Sequence, residues 1–269
     1  MFTLFSSVVG VGCLIGLTTV LFGFGGGFIT VPVVSAIVAA QGGSDAMHTA
    51  VATSTAVMVV TALSATAAQR RSGRLHRRYL WPMIVFIGLG AAVGALAADR
   101  LSETVLTVAF VGYLAVTIAD GIGRSGFLGA KRRRAATARA LSMVTATAGG
   151  MGIGAVAGLL GVGGSVMTVP LLRRRGLPMA DAVAMANPLS IPVAVVATAV
   201  YAVTGPTMPH AGQIGQIDVS AAAALLCGSL PTIAVVKRFA GRIADRIHAI
   251  AYLVLLAVVM VAMTLALVS

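Results

Sequence analysis

Gly23-Phe24-Gly25-Gly26-Gly27-Phe28-Ile29-Thr30-Val31-Pro32 returns without a gap as Gly161-Val162-Gly163-Gly164-Ser165-Val166-Met167-Thr168-Val169-Pro170. The copies share three glycines, Thr, Val and Pro, and start 138 residues apart in a chain of 269. With a slip of two residues the match continues, Asp45-Ala46 on Asp181-Ala182, Ala50 on Ala186 and Ser54 on Ser190. The chain therefore reads as two homologous halves, 1–123 and 140–269, joined by a basic linker at 124–139.

The chain around these motifs is apolar. Hydrophobic residues make up 58% of it and charged residues 10%, with a mean hydropathy of +1.01, whereas a soluble domain carries about a quarter charged residues. Disorder is excluded on the same ground. Uncharged stretches recur at Phe2–Ala40, His48–Gln69, Tyr79–Ala98, Thr104–Ala119, Ala140–Leu172, Ala182–Ile217, Val219–Val236 and Ile247–Ser269. Most are near the roughly 20 residues that a helix needs to cross a bilayer. They lack strand alternation, so a polytopic all-α membrane protein is expected. Phe2–Phe22 has no basic residue before its apolar run and reads as mature protein rather than as a secretory signal. Cys13 and Cys227 have neither CxxC nor metal-ligand spacing and are expected to be buried packing residues.

The net charge of +12 would point to nucleic acid in a soluble protein; here it is topological. Every Lys and Arg except Arg100 falls in one of four clusters: 70–78, 124–139, 173–175 and 237–246. Placing all four in the cytoplasm satisfies the positive-inside rule, with anionic lipid headgroups as their partners. Each half then holds a glycine-turn hairpin followed by three spans. That is an odd number of crossings, so the halves must be inverted relative to each other and the two turns meet near the midplane.

The seven acids, Asp45, Asp99, Glu103, Asp120, Asp181, Asp218 and Asp245, all stand near predicted membrane boundaries. A path for metal cations would be expected to carry carboxylates, thiolates or imidazoles. The interior offers instead the backbone of Gly25, Gly26, Gly27, Gly163 and Gly164, with the hydroxyls of Thr30, Ser165 and Thr168. Glycine lets amides approach a ligand, and a helix starting after each turn points its positive end at it. Thr53, Ser54, Asn187 and Ser190 fall at matching depths in the following helices. The expected substrate is a small anion with several oxygens, and no cofactor or metal is required. Glycine runs also serve as close helix interfaces, and that reading stays open.

His48 is the histidine best placed for coupling to a proton, one turn from Asp45 and near the outer face; His76, His210 and His248 read as loop or interfacial groups. Asp45 and Asp181 are expected to cap their helices. Tyr79 and Trp81 form an interfacial belt with Pro82 at a helix start. A nucleotide-binding loop, a GxSxG elbow and a His-Glu-x-x-His pair are all absent, so neither ATP hydrolysis nor intramembrane catalysis is expected.

The doubled glycine motif with Pro32 and Pro170, the stretch Ala50-Val51-Ala52-Thr53-Ser54 and the short two-half layout resemble the TauE/SafE sulfite exporter family, the TSUP permeases, over essentially the whole chain. The resemblance implies a permease for sulfite, sulfoacetate, other organosulfonates or thiosulfate; the apolar helices make a bacterial inner membrane the expected location. Export is the expected direction, although some members import, and a proton or cation is a candidate coupling ion. A passive anion channel, or a permease for another small solute, is the alternative. Two departures stand out: Ser165 replaces the third glycine of the second motif, and Ala186-Asn187-Pro188-Leu189-Ser190 replaces Ala-Val-Ala-Thr-Ser. Pro188 should free a helix carbonyl and make the site asymmetric.

Overall fold

The computed structural model describes residues 2–43, 45–70, 80–123, 142–204, 212–238 and 244–268. The linker at 124–139 lies outside the described residues, as do Arg71, Arg74, His76, Arg77, Arg78, Tyr79, His210 and Arg242.

Among the described residues the first half forms α1 (Phe2–Phe22), α2 (Gly27–Ala40), α3 (Ala46–Gln69), α4 (Met83–Ala98) and α5 (Glu103–Gly123). In the second half a π-helical segment, Thr145–Gly149, runs into α6 (Gly150–Leu160). There follow α7 (Ser165–Arg174), α8 (Met179–Val203), the antiparallel strands β1 (Gln213–Ile214) and β2 (Ile217–Asp218), α9 (Val219–Val236) and α10 (Asp245–Val268). The chain is an all-α polytopic membrane protein, and α3, α5, α8, α9 and α10 are each long and apolar enough to cross a bilayer. The 16-residue α4 is shorter, since its N-cap is Pro82. The returning arms α2 and α7, of 14 and 10 residues, rise only about 21 and 15 Å at 1.5 Å per residue.

The two halves are interlocked. α1 packs on α9 and α4 on α6; α2 lies on α3 and α7 on α8; α3 meets α9 and α4 meets α8; α3 pairs with α8 and α5 with α10. Exchanging α1–α5 for α6–α10 in order maps each of these contacts onto another one or onto itself. The two tightest interfaces depend on glycine. A β-carbon on Gly12 would run into Leu225 O and one on Gly228 into Val9 O, while Gly90 faces Met151 O, Gly94 faces Ala155 O and Gly154 faces Ile87 O. Without a hydrophobic driving force between helices in lipid, such backbone approach supplies the packing.

Helix starts are held by acids from elsewhere in the chain. The Glu103 carboxylate at the head of α5 accepts from Met47 N (2.5 Å) and His48 N (3.1 Å) at the head of α3. At the matching place in the second half, Asp245 accepts from Met179 N (2.6 Å) and from Arg173 Nη1 (2.7 and 2.8 Å). This corrects the capping expected of Asp45 and Asp181. Asp45 is the N-cap of α3 but its side chain makes no capping bond, and Asp181 lies in the first turn of α8, after the Pro178 cap. Arg173 is likewise no lipid-facing charge, being 2% exposed and paired with Asp245. Cys13 and Cys227 are exposed rather than buried; each lies on the outer side of a helix whose small residues form the contact face.

Gly94→Ala should therefore cost about 1–3 kcal/mol, the range for overpacking, whereas Gly112→Ala, with nothing within 4 Å of its β-carbon, should leave the melting point in detergent unchanged or raised. Equal melting points for the two variants would show that α4 and α6 need no glycine contact.

Candidate functional site

The glycine turns connect α1 to α2 and α6 to α7. In the first, Gly23, Gly25 and Gly26 take left-handed φ values of 75°, 63° and 91°; in the second only Gly161 does, at 64°. The turns touch. A β-carbon on Gly27 would lie 2.6 Å from Gly161 O, and one on Gly163 would lie 2.9 Å from Phe24 O and 2.8 Å from Ser190 Oγ. Position 27 thus admits only glycine, whereas the matching Ser165 is accommodated with its hydroxyl 3.4 Å from Gly163 O.

Hydroxyls of α3 occupy the carbonyls of this junction. Ser54 Oγ stands 2.6 Å from Gly161 O and 3.0 Å from Gly27 O, placing its single proton between the two turns. Thr61 donates to Gly25 O. The amides, by contrast, head two helices. The first helical bonds run from Thr30 N to Gly26 O in α2 and from Met167 N and Thr168 N to Gly164 O in α7. The amides of Gly27, Phe28, Ser165 and Val166 therefore have no carbonyl behind them within their own helix. Three junction carbonyls are thus paired with hydroxyls, and each turn lies at the amide end of a helix, which carries a partial positive charge.

All the polar side chains expected at the site, Thr30, Thr53, Ser54, Ser165, Thr168, Asn187 and Ser190, are fully buried, but they do different things. Thr30 bonds to Gly26 O within its own helix (2.8 Å) and Ser190 to Ala186 O (3.0 Å). Thr53 turns away from the glycines and accepts from Asp218 N (2.9 Å), which pins the β1–β2 hairpin onto α3. Asn187 Nδ2 donates to Thr19 O (3.3 Å). Asn187 Oδ1, beside α1, and Thr168 Oγ1, in α7, are buried without a hydrogen-bond partner. α8 runs through Pro188 and Pro192 without a break, although each proline withholds one amide from the helix.

Two residues at the junction escaped the sequence reading. Met58, with no exposed surface, places its sulfur 3.2 Å from a β-carbon on Gly25 and 3.1 Å from one on Gly163, so its thioether fills the space between the turns. Thr61 is the second. The available signal was spacing: Ser54, Met58 and Thr61 follow at i, i+4 and i+7 and share one helix face.

Residues 8–263 match the family described as sulfite exporter TauE/SafE. The chain belongs to that family. This TauE/SafE chain is also 29% identical over 191 residues, 68% of each protein, to a probable membrane transporter protein of Haemophilus influenzae. No solved structure matches it. Family and relative are transporters, not enzymes, so the TauE/SafE chain is a membrane permease.

His48 lies away from the turns. Its Nδ1 pairs with Glu103 and its Nε2 is 3.2 Å from Ala98 O, which ties α3 to the end of α4 and the start of α5. Asp45, His48 and Glu103 bring one donor atom each within 4.8 Å of one another, a set able to take a divalent cation. Glu103, however, already serves two amides and the imidazole. His248, 4% exposed, contacts Leu21 O at the end of α1 and packs against Phe22 at 5.5 Å.

Ser54→Ala should cost about 1–3 kcal/mol, the penalty for a buried carbonyl that loses its donor. Ser190→Ala, which removes a hydroxyl bonded only to its own helix, should cost less. Equal losses in thermal unfolding would mean that Ser54 does not join the turns.

Proposed function

We propose that this permease is a secondary transporter of small sulfur-containing anions, sulfite, sulfoacetate, other organosulfonates or thiosulfate, bound where the two glycine turns meet. The observation that carries the reading is the division of labour at the junction: hydroxyls occupy the carbonyls of Gly25 and Gly161 while helix-heading amides lead α2 and α7. The amides around Gly25, Gly26, Gly27, Gly163 and Gly164 supply the positive field, and Ser54, Ser165, Thr168, Asn187 and Ser190 supply further polar contacts. Thr30, bonded to Gly26 O, supports the first turn, whereas the hydroxyl of Thr53 is engaged by the β1–β2 hairpin.

In this reading the halves 1–123 and 140–269 are inverted repeats in a bacterial inner membrane, with the basic clusters and the 124–139 linker on the cytoplasmic side against anionic lipid. Rocking of one repeat against the other exposes the junction alternately to each side. The direction is export. The contact pattern, unchanged when the halves are exchanged, supports such a relation. His48, held by Glu103 near the outer ends of α3 and α5, is the proposed proton-coupling group.

The test is thermal stabilisation of the purified protein by sulfite, thiosulfate, sulfoacetate, taurine, sulfate and chloride, followed by flux in proteoliposomes. One or two sulfur anions should raise the melting point, by mass action on the folded state. Gly27→Val should abolish that rise and the flux. Stabilisation only by a cation or a neutral solute would sink the reading, and flux that follows the electrochemical gradient alone would make the protein a passive channel. Coupling through His48 predicts that His48→Asn retains anion binding but loses the dependence of flux on a proton gradient; an unaltered dependence removes His48 from the mechanism.

A further inference from the structure

Among the described residues a cavity of about 400 Å³ lies beside the junction rather than within it, a size in the range of small-ligand pockets. It is walled by α5, the π-helical segment, α6 and α7. α7 lines it from Val166 in its first turn to Arg174 in its last, a rise of about 12 Å. The inner end approaches the second glycine turn: Ile153, which lines the cavity, has its Cγ2 3.2 Å from where a β-carbon on Gly164 would stand. At the other end Arg174 pairs with Asp120, and Arg175 Nη2 donates to Thr145 Oγ1 at 3.3 Å. Apolar walls with charge gathered at the mouth suit an oxyanion, with or without a short carbon chain.

We propose that this cavity is the vestibule on the basic side of the protein, that Arg174 receives the anion there in place of Asp120, and that Ile153 is the side chain separating the vestibule from the glycine junction. The inference rests on the anion-transport reading above and extends it to the route of access. Arg174 and Asp120 retain 42% and 22% side-chain exposure, and such half-exposed pairs are weakly held, so an arriving oxyanion can compete with the Asp120 carboxylate for a guanidinium whose fork matches it. A π-helical segment is a rare departure from the α-helix that recurs at functional sites, and α5 packs chiefly on α10 while touching α6 and α7 only lightly. With Ile153 against the second turn and Met58 between the two turns, the vestibule is open and the junction shut.

The experiment replaces the exposed Cys13 and Cys227 with Ser and introduces one cysteine at a time. Gly152 lines the cavity with open space at its β-carbon; Gly112 has equal space and lies elsewhere on α5. In inside-out vesicles a membrane-impermeant methanethiosulfonate should label Gly152→Cys at least tenfold faster than Gly112→Cys, and labelling should slow with sulfoacetate. In proteoliposomes Arg174→Gln should raise the half-saturating sulfoacetate concentration fivefold or more for entry from the basic side alone, with Arg174→Lys recovering part of the loss. Labelling at equal rates, or an unchanged half-saturation in a wild-type protein that does carry the anion, overturns the vestibule and leaves the anion reading standing. Labelling blocked by anionic lipid, whatever the sulfoacetate concentration, makes the cavity a lipid site and also overturns it. A wild-type protein that neither binds nor carries any anion of the panel fails at the transport reading, and the vestibule falls with it.

Discussion

A single hydroxyl proton at Ser54 lies between the carbonyls of Gly161 and Gly27, and the arrangement of both halves follows from that meeting. A chain that reverses inside an apolar medium exposes backbone groups that water cannot reach, and each unpaired one is costly. Gly161 ends α6 in the left-handed conformation, so its carbonyl leaves the helix without a partner, and α3 supplies one. Thr61 does the same for Gly25. The reversals after α1 and α6 are therefore tolerable only because a long helix presents a polar stripe to them. That stripe in turn requires backbone approach too close for any β-carbon at Gly27 or Gly161.

The same economy of side chains governs the periphery. α1 against α9 and α4 against α6 are contacts of backbone on backbone through glycine, and they carry one half onto the other. The acids act at the ends. Glu103 and Asp245 each reach from the fifth helix of a half to the first amides of its third helix, so that the heads of α3 and α8, which pack on α2 and α7, are fixed. The second half adds a buried cation, Arg173, and the first an imidazole, His48, to the same acid. The two places thus share the cap and differ in its partner.

Much of this was legible in the sequence. The repeated glycine motif marked where α1 gives way to α2 and α6 to α7, and hydropathy placed α3, α5, α9 and α10 to within a few residues, although the stretch Ala182–Ile217 overran the end of α8 at Val203. What escaped was long-range pairing. Nothing in the local pattern around Asp45 tells it from a helix cap, because its place is taken by Glu103, far along the chain. Cys13 and Cys227 were misplaced for a related reason. In a soluble protein an apolar cysteine is sheltered, but in a membrane helix the lipid face is apolar too, and composition does not separate the faces. Met58 was hidden by its ordinariness, one of twelve methionines, distinguished only by its helical phase with Ser54.

The absence of formal charge at the junction has its own logic. A lysine or arginine buried there would have to shed its hydration, at a cost that only a resident counter-ion could offset, and a cation strong enough to hold a dehydrated anion would also hold it against release. Amides at two helix starts avoid both difficulties. They are already fixed by the fold, so they need no reorganisation, and the field of each decays within a helical turn, so separating the turns would weaken the site at once. On the proposed route, the full charge of Arg174 stands instead where water can still reach it and where Asp120 would reclaim it after an anion had passed. Strong attraction at the mouth and weak, divisible attraction at the centre would let an anion both enter and leave.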